Sequence, residues 1–294
     1  AYVAKSILKQ GLIYYNTDKD DAAITKFKKV VAEFPNSPES LEAVATAKSI
    51  YKANGKVGEY AAWVKTLSFV EVTDAELDND MYEAAEKQYL NNSPKKAIEG
   101  FTSYLAQFPN GLHALKVHFY LARLYFADKL EKNAIPHYDY VIAQARNEFT
   151  EQALVRLSEI HLKDKNCELA ISVLKQVETI AEFPQNTTFA QANLMKCYYE
   201  KQDFVNSEIY ADKVLKNPKM DDKIKSDAQI IIARSAIKTN NDAKAKEAYA
   251  KLQKIAKGEL AAEALYYDAY FKNKEAKFEA SNKAVEKYSS TYSG

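Results

Sequence analysis

Glycine and proline are scarce in this chain, with seven of each in 294 residues. Sheets and large loops need more tight turns than that supplies, so long helices with short connections are the expectation. Cysteine is scarcer still: Cys167 and Cys197 cannot build a disulfide framework, and two buried reduced thiols are the favoured reading, with a bridge between the two as the alternative. Neither sign of charge dominates, since 41 Lys and Arg face 40 Asp and Glu. That balance leaves no basic stripe for phosphate neutralisation and excludes nucleic acid as the expected partner. No apolar run of about 18 residues exists, so no helix is expected to span a bilayer.

Catalytic signatures are missing too. The chain has no G-x-S-x-G, no H-E-x-x-H and no G-x-x-x-x-G-K-[ST]. Neither an enzyme nor a bound cofactor is expected. The four histidines, His113, His118, His137 and His161, include no pair three or four residues apart. No two therefore share a helix face as a helical metal site requires, and His161 reads as a residue packed between helices.

What is present is repetition. The stretches "AEFPNSPESLEA" from Ala32, "AQFPNGLHALKV" from Ala106 and "AEFPQNTTFAQA" from Ala181 echo one another at about twice a shorter period. That period emerges from a column of mostly small residues: Ala23, Tyr60, Ala97, Ala134, Ala170, Ser207, Ala245 and Ser281. Four residues later stand Phe27, Val64, Phe101, Tyr138, Leu174, Ala211, Tyr249 and Val285, apolar throughout. Twelve residues before the column stand Gly11, Lys48, Ala85, Ala122, Ser158, Met195, Ala233 and Ala269, most of them small. Nine residues before it, rings recur at Tyr14, Tyr51, Tyr125 and Tyr198. Two antiparallel helices approach closely only where one offers a small residue and a ring from the other fills the space beside it.

A small residue, an aromatic, then Ala-x-x-x-Phe and a closing Pro is similar to the tetratricopeptide repeat (TPR). Gly11, Tyr14, Ala23, Phe27 and Pro35 carry the best match, while Lys48, Met195 and Lys272 depart from the pattern. The resemblance implies an all-α fold: a right-handed superhelical solenoid of about eight TPR-like helix pairs with a period of about 37 residues, running as one domain over 1–294. The second pair is expected to place helices at 39–53 and 57–70. The prolines of the echoing stretches are expected to end helices at Phe34, Phe108 and Phe183. "TDAE" at Thr73 reads as a capping box, and Lys257-Gly258 as a glycine stop. The first helix, "YVAKSILKQGLIYY", is apolar over much of its circumference, no polar helix closes the last pair, and residue 1 is not Met. From these three features the chain is expected to be a segment of a longer array.

Sites on TPR proteins lie on the concave wall formed by the first helix of each pair. Helix phase places Tyr15, Tyr82, Tyr89, Phe119, Arg123, Phe126, Phe189, Lys196, Tyr199, Tyr266 and Tyr270 there, rings beside single charges. These residues are the candidate contacts for a protein or peptide segment, although each ring has packing within the core as its alternative. The family's lysine and asparagine clamp for a terminal carboxylate is not matched: the column Leu12, Ser49, Glu86, Arg123, Glu159, Lys196, Arg234, Tyr270 holds no asparagine. "YKANGKVGEYAAWVK" and "NEFTEQALVRLSEI" resemble long TPR proteins of the Bacteroidetes cell envelope. That resemblance implies a periplasmic or envelope location, with the cytoplasm as the alternative. The expected function is a scaffold or adaptor within a multiprotein assembly, and the alternative is a carrier or chaperone for secreted or unfolded polypeptides. Oligomeric state is left open.

Overall fold

The computed structural model describes residues 2–292, and among these it holds sixteen helices and no strand. They are α1 (Tyr2–Asn16), α2 (Asp20–Glu33), α3 (Pro38–Ala53), α4 (Val57–Val64), α5 (Asp74–Leu90), α6 (Pro94–Gln107), α7 (Ala114–Ala127) and α8 (Glu131–Ala143). There follow α9 (Thr150–Lys163), α10 (Cys167–Ile180), α11 (Pro184–Glu200), α12 (Phe204–Lys216), α13 (Asp222–Lys238), α14 (Asp242–Leu252), α15 (Glu259–Lys274) and α16 (Phe278–Tyr292). The chain gathers into two compact units, Ala1–Gln144 and Ala145–Gly294.

Each unit stacks four antiparallel hairpins, and the packing follows the sequence columns. The small column is buried in all eight hairpins, from Ala23 at 0 % exposure to Ser281 at 4 %. Where that residue is serine, its hydroxyl donates to the carbonyl twelve residues earlier: Ser207 to Met195 at 3.1 Å and Ser281 to Ala269 at 2.9 Å. The two columns are thus the crossing point of each hairpin. Gly11 shows why small residues stand there, since a Cβ on it would lie 2.6 Å from Cε1 of Phe27.

Every hairpin turn uses the same device. One residue per turn has positive φ: Asp18, Gly55, Asn92, Lys129, Lys165, Gln202, Asn240 and Ala276. Their spacings, 37, 37, 37, 36, 37, 38 and 36, repeat those of the small column. In each turn the next amide donates back five residues at 2.8 or 2.9 Å, as in Lys19 N–H to the Tyr14 carbonyl and Asp203 N–H to the Tyr198 carbonyl. This six-to-one bond around a left-handed residue is the Schellman motif, which satisfies carbonyls that the helix end leaves open.

First helices of successive hairpins touch one another, α1 with α3 and α3 with α5 in the first unit and α11 with α13 in the second. The second helices have no comparable contact among themselves. Over α1, α3 and α5 in the first unit, and α11 and α13 in the second, the first helices therefore form the more closely packed layer.

Three local expectations are corrected. α4 ends at Val64 rather than near residue 70, and α3 and α4 pack the most sparsely of the eight hairpins. Lys48 holds the crossing position of that pair and bonds outward to Asp80 of α5 at 2.6 Å, so close approach is lost. The chain beyond α4 instead lays Leu67, Phe69, Val70 and Val72 against the core. Phe34 and Phe108 do cap the ends of α2 and α6, but Phe183 precedes Pro184 at the start of α11, three residues after α10 ends. Proline fits there because the first helical N–H needs no partner within the helix. Gly258 likewise begins α15, with φ 59°, instead of stopping α14. The Thr73 capping box is formed as expected, with reciprocal bonds between Thr73 and Glu76.

Candidate functional site

The eleven residues that helix phase places on the first-helix layer divide into three kinds. Tyr82 and Phe119 are sealed in the core, at 4 % and 2 % exposure, and offer no surface to a partner. Tyr82 stacks on His113 at 4.0 Å, and its hydroxyl donates to Glu86. Burial, with that carboxylate beside it, holds the Tyr82 phenol well above its ordinary range.

A second kind is charged but already partnered. Lys196 of α11 pairs with Asp227 of α13 at 2.8 Å; likewise Arg234 of α13, which shares its sequence column but is not among the eleven, clasps Glu263 of α15 through two bonds of 2.9 and 2.5 Å. Burial would raise the Glu263 carboxyl, but the bonds from Arg234 and Tyr249 outweigh it and hold the group below the usual carboxylate range. These pairs bridge neighbouring first helices across the repeat.

The third kind presents rings or charge to the surface. In the first unit Tyr89 is half-buried and stacked on Tyr120 of α7 with ring centroids 4.6 Å apart. Arg123 is exposed, and its guanidinium carbon lies 6.0 Å from the Tyr89 centroid and 5.7 Å from that of Phe119. Phe126 lies half-buried on the same helix. Tyr120 belongs to this cluster although helix phase points to Phe119; one residue turns a helix by 100°, enough to exchange a buried ring for a surface one. Tyr15 is 38 % exposed near the end of α1. In the second unit Phe189 and Tyr199 are half-buried on α11. Tyr266 and Tyr270 are 55 % and 43 % exposed one turn apart on α15, each set edge-on to Tyr267.

Other side chains meet that sequence spacing keeps apart. His118 of α7 and His137 of α8 share a hydrogen bond between Nδ1 atoms at 2.8 Å, and the Tyr140 ring stacks on His118 at 3.7 Å. Burial first, and the neighbouring imidazole second, push the His118 pKa down to about 4; burial pushes His137 down as well. The pair escapes a search for i,i+3 and i,i+4 spacing because it forms across a hairpin. No cluster of three or more His, Cys, Asp or Glu fit to hold a metal ion occurs among the described residues. None of their helices is long and apolar enough to cross a membrane. Cys167 and Cys197 are free thiols in contact, Cys197 buried and Cys167 partly exposed, so the expectation of two buried thiols holds for one of them.

Residues 5–37 match the tetratricopeptide repeat model. No curated protein matches the chain. Among solved structures, the chain is similar to the C-terminal part of a TPR repeat-containing protein from Cytophaga hutchinsonii, with 16 % identity over 96 % of this chain and 94 % of that one and a TM-score of 0.48. It is similar to a tetratricopeptide repeat protein from Parabacteroides merdae, with 12 % identity over 99 % and 93 % of the two chains and a TM-score of 0.32. A third is PilW, a type IV pilus biogenesis factor, at 15 % identity, 86 % and 93 % coverage and a TM-score of 0.36. Residues 5–37 thus match the tetratricopeptide repeat by sequence, and the same small-residue crossing and Schellman turn recur in all eight hairpins.

Proposed function

We propose that this chain is a non-enzymatic scaffold that holds a polypeptide segment against its first-helix layer, with the contact in the first unit centred on Tyr89, Tyr120, Arg123 and Phe126. Tetratricopeptide repeats mediate protein–protein interactions, which supports the class of function. The observation that carries the site is Arg123. Lys196 and Arg234 in the same column are paired with carboxylates of the next first helix. Arg123 lies on rings, and no carboxylate pairs with it among the described residues. An exposed guanidinium on stacked rings suits an acidic or carboxylate-bearing residue of an extended or helical segment: the rings give contact area at low entropic cost, and the cation fixes register. The location we propose is the bacterial envelope, supported by the resemblance of "YKANGKVGEYAAWVK" and its companion stretch to envelope TPR proteins.

Pull-down with the intact chain tests this reading. A scaffold returns a partner at fixed stoichiometry; a broad set of unrelated clients would replace it with the carrier reading. Arg123→Glu is expected to weaken capture by about tenfold or more, as loss of a central contact does. Tyr89→Ala with Phe126→Ala should do the same while far-UV circular dichroism and melting stay nearly unchanged. Full capture by Arg123→Glu, or unfolding of the double variant, would sink the assignment of these residues as the contact.

A further inference from the structure

We infer that Cys167 and Cys197 are a redox pair that closes an intramolecular disulfide between the fifth and sixth hairpins. Cys167 is the first residue of α10 and Cys197 lies in the last turn of α11, and the fold brings their Sγ atoms to 2.6 Å. A disulfide bond is about 2.05 Å long, so the sulfurs stand within roughly 0.6 Å of bonding distance. The chain holds no other cysteine to compete for either sulfur.

The two thiols are unequal in access, and this sets the order of the chemistry. Cys167 is partly exposed and reaches solvent; Cys197 is 2 % exposed. With an external disulfide such as oxidised glutathione as oxidant, the Cys167 thiolate attacks one glutathione sulfur and expels the other as thiolate. Cys197, as thiolate, then attacks the Cys167 sulfur and expels the second glutathione. Two protein thiols are oxidised by two electrons, the external disulfide is reduced to two thiols, and the protons lost by the cysteines end on the expelled glutathiones. Glu200 accepts from the Cys167 thiol at 3.2 Å, and burial together with that carboxylate pushes the thiol up. Burial and the adjoining Cys167 push Cys197 higher still. Closure is therefore slow at neutral pH and quickens as the solution becomes alkaline. The bond would tie the start of α10 to the end of α11 across the junction between hairpins. That is a structural clamp that an oxidising compartment sets and a reducing one leaves open.

The inference stands independently of the partner-binding reading. The purified full chain is equilibrated with graded ratios of oxidised and reduced glutathione at mildly alkaline pH, quenched with an alkylating agent, and examined by intact mass and non-reducing peptide mapping. The expected product is a monomer in which both thiols disappear together and the 167- and 197-containing peptides are linked. The oxidised form should melt several degrees above the reduced one, on the scale of a disulfide closing a loop of this size. Cys197→Ser should stop at a glutathione adduct on Cys167 with no such gain. Should that variant fold poorly, Cys167→Ser leaves the buried Cys197 unmodified under the same treatment. Two alkylatable thiols in excess oxidised glutathione, a persistent adduct on the wild type, or disulfide-linked dimers would each overturn the inference.

Discussion

Single side chains fix the turns between hairpins, and several can be tested directly. Asp78 is 7 % exposed on α5 and accepts the Tyr104 hydroxyl at 2.5 Å and the Leu112 N–H at 2.7 Å. In the second unit Glu151 of α9 occupies the corresponding place, accepting the N–H groups of Glu182 and Phe183 at 3.0 and 3.3 Å and the Asn186 side chain at 2.7 Å. Both acids hold a Phe-Pro turn some thirty residues downstream, so the eye-catching "FPNG" and "FPQN" are fastened from the preceding hairpin. Asp78→Ala removes the acceptor of the buried Tyr104 O–H, whose oxygen keeps only the His113 N–H, and of the Leu112 N–H, and should cost about 1–3 kcal/mol by denaturant titration. The histidine pair predicts a pH effect. The folded His118 pKa of about 4 lies below the ordinary 6.5, so above pH 6.5 both folded and unfolded forms are neutral and nothing is lost. As pH falls from 6.5 towards 4 the unfolded chain binds a proton that the folded one refuses, and stability declines. His118→Phe should flatten the fall in melting temperature over that window; an unchanged profile would show that the pair is not its source. None of these contacts was legible in the sequence, because each joins residues nineteen to thirty-five positions apart whose meeting depends on how hairpins cross.

Elements were read more fully, for a physical reason. Close helix crossing admits few residue types, so the columns of Ala23 and Phe27 reveal the period, and the capping box at Thr73 declares its helix start. Thr73→Ala should destabilise by about 1 kcal/mol. The conformation of the turns stayed hidden because seven of the eight left-handed positions are filled by Asp, Asn, Lys, Gln or Ala instead of glycine. A scarcity of glycine argued for few tight turns, whereas the chain makes eight with the wrong residue for most. A side chain in that region costs about 1–2 kcal/mol, and glycine returns part of this as unfolded-state entropy. Lys129→Gly and Gln202→Gly are therefore expected to stabilise by about 0.5–1 kcal/mol each, read from the midpoint of urea unfolding. α4 was overextended for the opposite reason. Its sequence is apolar enough for a longer helix, and only the placement of Lys48 opposite it shows why the hairpin cannot close further.

For the whole molecule, contacts within each unit run from a hairpin to its neighbours, which makes stability a sum of local terms. Leu174 of α10 is fully buried, and Leu174→Ala should cost about 2–5 kcal/mol. Hydrogen exchange should show the loss mainly in α9 to α12 and fading towards α15 and α16; a uniform loss across the unit would contradict nearest-neighbour stability. The candidate surface was only half legible at this scale. Helix phase finds the first-helix layer, but which of its charges are spent on the next helix depends on pairs such as Arg234–Glu263, separated by a full hairpin.

The eight like turns carry a consequence for how such a chain changes over generations. Asn92 and Lys129 occupy the same conformation, at φ 54° and 60°, one period apart. A recombination event joining the two sites would delete one complete repeat and rejoin a turn to a turn. An unequal crossover in the other direction would duplicate it. The repeated bend makes the gene tolerant of changes in length by whole repeats.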